Sequence, residues 1–265
     1  VHFKAETLDY NKHRVGNIMK LKKYLQRLAR RLGWEIRPIA TANIEQQVVK
    51  ELLRLMRVTT VLDVGANTGQ WGDLLFDTGY DGRLISFEAA PSVHSALLVH
   101  AKRSGKAWEV APCAALGSQK GQLQFNLSAN TVSSSALPMR GRHVESAPDS
   151  AYVGQQMVPV ERLDQLAAPF VRSDSRLMLK IDTQGYELEV LKGATGLLDQ
   201  VVCMQVELSL VSLYEGAPSF LEMIGHAKSL GFEIFNVVPV FKDSRSGQVL
   251  QVDGYFLRTE VVHPR

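Results

Sequence analysis

The chain has 265 residues, 45% of them hydrophobic and 22% charged, with a net charge of +3. That is enough chain for a substantial core, and the balance excludes a fibrous, disulfide-framed or intrinsically disordered class. Cys113 and Cys203 sit in apolar runs without metal-ligand spacing, no apolar run reaches membrane-spanning length, and the N-terminus lacks the apolar core of a secretory signal, so free thiols and a cytoplasmic location are expected.

Residues 1–18 are polar and unpatterned. Residues 19–32 carry six basic side chains and no acidic one (Lys20, Lys22, Lys23, Arg27, Arg30, Arg31), while the chain from residue 33 on is net acidic. Met19 opens the segment, and Leu21, Tyr24, Leu25, Leu28 and Leu32 then keep a helical period, ended by Gly33 and blocked by Pro38. Such a helix packs by its leucine seam or lies on an anionic membrane at its inner face; both readings stand. Translation starting at Met19 would make residues 1–18 an extension. The expected organisation is an N-terminal extension over 1–42 and one domain over 43–265.

The pattern predicts a helix near 44–57, then alternation. Strands are expected at 60–64, 83–88, 107–113, 176–182, 201–208, 232–241 and 249–257, and helices near 70–78, 92–104, 185–198 and 218–230. Short apolar strands separated by helical patterns imply a mostly parallel seven-stranded sheet with helices on both faces. The stretch Lys242-Asp243-Ser244-Arg245-Ser246-Gly247 leaves no room for a helix, so the last two strands form an antiparallel hairpin. Residues 128–155, rich in Ser, Pro, Arg and Gly, read as one long irregular loop of the kind that binds substrate.

The chemistry begins at Asp63-Val64-Gly65-Ala66-Asn67-Thr68-Gly69, a glycine turn directly after the first strand. In an open α/β sheet, ligands bind at the carboxyl ends of strands beside such a turn. Gly65 and Gly69 are expected to let the backbone approach the ligand. Glu88 ends the next strand, where an acid accepts both hydroxyls of a ribose. The spacing Gly65, Gly69, Gly72 departs from the dinucleotide fingerprint. Asp63, expected at the mouth of the loop, would repel a pyrophosphate but suits the sulfonium and ammonium of S-adenosylmethionine (AdoMet). A nicotinamide or flavin site is the rival.

At this point the chain resembles the FkbM-type methyltransferases. The residues that carry the resemblance are Val61–Gly72, Phe87-Glu88-Ala89-Ala90-Pro91, Ala115-Leu116-Gly117, and above all Lys180-Ile181-Asp182-Thr183-Gln184-Gly185-Tyr186-Glu187 with its continuation to Ala194. Val206-Glu207-Leu208-Ser209 and Val252-Asp253-Gly254-Tyr255-Phe256 fit the same family. The resemblance implies a Rossmann-like AdoMet methyltransferase fold and O-methylation of a sugar, glycolipid or polyketide hydroxyl. A non-catalytic AdoMet-binding module is the alternative from another class.

The expected cofactor residues are Asp63, Gly65, Ala66, Asn67, Gly69, Gln70, Glu88, Ala114 and Asp182. Asp182 is the first candidate for the base that accepts the hydroxyl proton, with Glu207 and His143 as further candidates. Lys180 is expected to pair with Asp182 or Glu207. Ser134, Arg140, Arg142, Tyr152, Gln184, Tyr186 and Glu187 are the expected substrate residues. Neither a metal nor nucleic acid is expected.

Overall fold

The structure, a computed structural model, describes residue 31 and residues 44–259. Residues 1–47 and 48–265 form two compact units. In the first, the expected basic helix at 19–32 lies outside the described residues except for Arg31, which is helical and exposed. The membrane contact expected of that helix lies outside them too. No helix among the described residues is long and apolar enough to cross a membrane.

Ten strands follow in order: β1 (Thr60–Val64), β2 (Arg83–Phe87), β3 (Trp108–Val110), β4 (Ala115–Leu116), β5 (Gly121–Ser128), β6 (Tyr152–Glu161), β7 (Leu177–Ile181), β8 (Val201–Ser209), β9 (Phe232–Lys242) and β10 (Val249–Arg258). Seven make the main sheet, in the order β3-β2-β1-β7-β8-β10-β9. All the pairings from β3 to β8 are parallel, and β10 runs antiparallel to both β8 and β9. The expected hairpin is present, but its second strand lies inside the sheet and its first forms the edge. Burial explains the choice: eight of the ten residues of β10 are buried, whereas most of β9 is open to solvent.

The helices are α1 (Ile44–Met56), α2 (Gln70–Asp77), α3 (Pro91–Ser104), α4 (Gly141–Ser146), α5 (Leu163–Leu166), α6 (Glu187–Lys192) and α7 (Phe220–Ser229). Alternation along the strands divides the core. Leu62, Val64, Leu179, Ile181, Met204 and Val206 join the cluster that holds Val190 and Leu191 of α6 and Met223 and Ala227 of α7. Val61, Met178 and Cys203 join the cluster with Leu52 and Met56 of α1 and Leu97 of α3. Two-residue periodicity thus sends neighbouring side chains to opposite helical layers.

Residues 128–155 depart from the expected irregular loop. β4, β6 and β5 form a second, three-stranded sheet, and the intervening chain holds α4 and a 3-10 turn over Pro148–Ser150. β5 alternates as a strand should, with Leu123, Phe125 and Leu127 packed on one face. The exposed, Gln-rich β6 gives little such signal.

Candidate active site

A cavity of about 270 Å³ opens at the carboxyl ends of β1, β2 and β7. The glycine turn forms one wall. Gly65 (φ +77°), Asn67 (φ +49°) and Gly69 (φ +103°) all take left-handed backbone, which coils the chain back over the strand ends. Gly65 and Ala66 N–H both donate to the Phe87 carbonyl at 3.0 Å, and Asp182 N–H donates to the Val64 carbonyl at 3.0 Å. The turn is thereby tied to β2 and β7.

Packing alone requires glycine at both positions. A Cβ on Gly65 would sit 1.9 Å from the Asp182 carbonyl oxygen, and one on Gly69 would sit 2.7 Å from the Trp108 ring. Gly65 lines the cavity and Gly69 does not.

Asp63 is not at the mouth of the turn. It is fully buried and faces its register partner Lys180 on β7, whose Nζ lies 3.1 Å from its carboxylate. Its register partner on β2, Ser86, donates to the other carboxylate oxygen at 3.3 Å and receives the Trp108 indole N–H at 3.0 Å. Burial works against the charge on Lys180, but Asp63 and Asp182 outweigh it and hold the ammonium above its usual pKa. Lys180 therefore pairs with Asp63 first and with Asp182 at 3.7 Å; Glu207 takes its hydrogen bonds from Gln184 and Gln251 instead.

Glu88 lines the cavity, one oxygen accepting Asn67 N–H at 2.9 Å and the other Ala90 N–H at 2.8 Å. Burial pushes its carboxyl up. A carboxylate has about four acceptor positions, so these donors leave room for a ligand hydroxyl. Ala66, Asn67, Gln70, Ala114 and Asp182 line the same cavity. Among the described residues its carboxylates are Glu88 and Asp182, and its ammonium, Lys180, is already paired. That donor set fits a cationic ligand carrying a ribose. Asn67 also reaches across to Thr131, whose Oγ1 accepts from Nδ2 at 3.2 Å.

The adjoining wall comes from the strand–turn–helix after β7. Asp182 lines the cavity with its side chain 37% exposed. Gln184 and Tyr186 line it too, as does Ser134 from the β5–α4 connection. Glu207 is buried beside them and does not line the cavity, and burial pushes it well above the usual carboxylate range, helped by the Asp182 and Glu187 charges. Glu187 is turned inward, accepting Thr183 N–H at 3.0 Å and Gly185 N–H at 2.9 Å; burial pushes it up to about 7. It holds the turn and does not line the cavity.

Four further expected residues stay outside the cavity lining. His143 is buried against Tyr214 and Phe241, with ring centroids 5.2 and 5.1 Å away, and burial lowers it to about 4. Tyr152 spends its hydroxyl on the Leu137 carbonyl, 2.7 Å away. Arg142 bonds Gln248, and Arg140 caps α4 in extended backbone. The cavity instead gains Trp71, Phe125, Thr131, Val132 and Ala136. Phe125 belongs to the alternating strand β5, so a period-two search would have found it. Thr131 and Val132 fall within the segment already marked for substrate. No group of three or more metal-ligating side chains converges among the described residues.

The Methyltransferase FkbM domain family matches residues 63–234, from the glycine turn into β9. No curated protein sequence matches the chain. Solved structures align over most of it. A cofactor-bound protein from MTB is 14% identical, covering 85% of this chain and 84% of its own, with a TM-score of 0.46. The O-methyltransferase TomG from Streptomyces achromogenes, in complex with SAM, is 12% identical over 89% and 88%, with a TM-score of 0.46. Aeropyrum pernix fibrillarin, with natively bound S-adenosyl-L-methionine, is 13% identical over 80% and 73%, with a TM-score of 0.44.

Proposed function

The chain belongs to the FkbM-domain methyltransferases and uses AdoMet, and on that premise we propose that it methylates a hydroxyl of a sugar carried on a glycolipid or polysaccharide. The observation that carries this reading is Asp182. It is a partly exposed carboxylate lining the cavity, whereas Glu207 and Glu187 are buried and do not line it.

AdoMet supplies a methyl group activated by its sulfonium. Glu88 would hold the ribose, with the glycine turn around it. Asp182 accepts the proton of the attacking hydroxyl; general-base help of this kind is worth about 10²–10⁴-fold. Trp71, Phe125 and Val132 narrow the cavity and keep water from competing for the methyl group. Thr131, Ser134 and Tyr186 offer hydroxyls to the other oxygens of a sugar. Lys180 is the cationic side chain among the described lining residues, and it is committed to Asp63 and Asp182. An anionic acceptor would find no uncommitted cation among them, which favours a sugar hydroxyl over a phosphate or carboxylate. The apolar patch of Phe125, Val132 and Ala136 favours a polyketide hydroxyl as the second reading.

Intact glycolipids and polysaccharides from a deletion strain and its parent are compared by mass. A species lighter by one methylene unit per site supports the proposal. Unchanged glycans, with a polyketide that has lost a methyl, overturn it in favour of the second reading. Asp182→Ala that methylates at full rate removes Asp182 from the base role.

A further inference from the structure

Gln184 lines the cavity, yet its side chain has no hydrogen-bonding group left for a ligand to claim as donor. Its Nε2 gives one hydrogen to Asp182 Oδ1 at 2.8 Å and the other to Glu207 Oε2 at 2.9 Å. Its Oε1 accepts the Tyr214 hydroxyl at 2.6 Å. A primary amide has two donors, and both are used.

The amide takes its orientation from these partners. Reversal would set its oxygen against the Asp182 carboxylate and forfeit the donor that Glu207 accepts. Tyr214 is fully buried, and its hydroxyl lies 3.4 Å from the Ser133 carbonyl as well. The backbone is held as firmly. Gln184 stands at φ +57°, left-handed for a residue with a side chain, and Ser135 Oγ donates to its carbonyl at 2.7 Å. A strained conformation persists only where its surroundings determine it. Glu207, the second carboxyl on the amide, is anchored in turn by Gln251 Nε2 at 2.7 Å.

We infer that Gln184, locked by Tyr214, is the positioning residue of the reaction: it ties the Asp182 carboxylate to a buried frame and aims it at the acceptor hydroxyl. The inference rests on the reading of Asp182 as the base. Gln184 itself touches neither acceptor nor cofactor as a donor. Lys180, at 3.7 Å from Oδ2, restrains the other side of the same carboxylate. Tyr214 lies on the segment after β8, far from the sequence motif, so a residue outside that motif sets the geometry of one inside it.

The test uses Gln184→Leu and Tyr214→Phe in the full chain. Protein labelled with ¹³C at the aspartate carboxyl gives an Asp182 signal, assigned by its loss in Asp182→Asn. Both variants are expected to shift and broaden that signal at fixed pH. Both are also expected to keep affinity for S-adenosylhomocysteine within about twofold by calorimetry. With glycolipid extract of the deletion strain as acceptor, kcat falls by about tenfold to a hundredfold while KM for AdoMet holds, the scale expected when a reacting group is misplaced by an ångström. An Asp182 signal unchanged in both variants overturns the inference. Where Gln184→Leu does not fold, Tyr214→Phe carries the test alone. An Asp182→Ala enzyme at full rate would remove the base role but would leave the carboxyl signal, and so the positioning itself, to be read independently.

Discussion

Gly65→Ala should damage both stability and the site, through a contact that can be isolated. Gly65 has φ +77°, and an added Cβ would lie 1.9 Å from the Asp182 carbonyl oxygen. Left-handed backbone costs an alanine about 1–2 kcal/mol. The contact adds a second cost, because real Cβ contacts below 3.0 Å essentially never occur and the obstacle is backbone, not a flexible side chain. Overpacking of this kind costs about 1–3 kcal/mol. The total is about 2–5 kcal/mol. Gly105 supplies the control: φ is +67°, and nothing lies within 4 Å of its added Cβ. Gly105→Ala should therefore cost only the backbone share. Urea denaturation of the two variants and the parent gives the difference, and calorimetry with S-adenosylhomocysteine reports the cavity. Relief of the contact needs the Asp182 carbonyl to retreat by about 1 Å, and a displacement of that size can cost about a hundredfold in rate. If Gly65→Ala is no less stable than Gly105→Ala and binds the cofactor product normally, the close approach of the glycine turn to β7 is not what requires glycine there.

Lys180→Met leaves Asp63 charged, buried and unpaired, which should cost about 3–5 kcal/mol in denaturant melts, with Asp63→Asn on the same chain restoring most of it. His143 has its pKa lowered to about 4 by burial, so its share of stability is intact above pH 6.5 and is lost as pH falls towards 4, amounting to about 3 kcal/mol. His143→Phe should flatten the acid limb of a stability-against-pH curve, since Nδ1 has no hydrogen-bond partner to lose. Glu187 runs the other way: with its pKa raised to about 7, its share is present below 4.5 and is lost as pH rises through 7, again about 3 kcal/mol. Glu187→Gln should remain stable across that window in the same measurement; equal slopes in variant and parent would refute it.

Much of this protein is local and so was legible in the sequence. The strands of the main sheet are short apolar runs, the helices between them keep a 3.6-residue period, and a glycine turn after the first strand marks the cavity. Glu88 and Asp182 are legible for the same reason: each follows directly on a strand, and strand ends are where such sheets bind ligands. β5 was not expected, although Leu123, Phe125 and Leu127 alternate along it, because the polar residues between them hid the pattern. What the sequence could not decide depends on lateral register and on burial. Asp63 reads as a ligand group until β7 sets Lys180 opposite it and closes both from solvent. Glu207, Glu187 and His143 have the chemistry of catalysis, but packing turns them inward. Gln184 reads as a substrate contact until Glu207 and Tyr214 claim its amide. The sequence by itself determined the elements of the main sheet, its ligand end and the family motif, because these follow from neighbours along the chain. Only the tertiary structure decided which polar groups face the cavity and which hold one another, because the roles of Asp63 and Glu207 depend on partners 23 or more positions away that strand order brings to them.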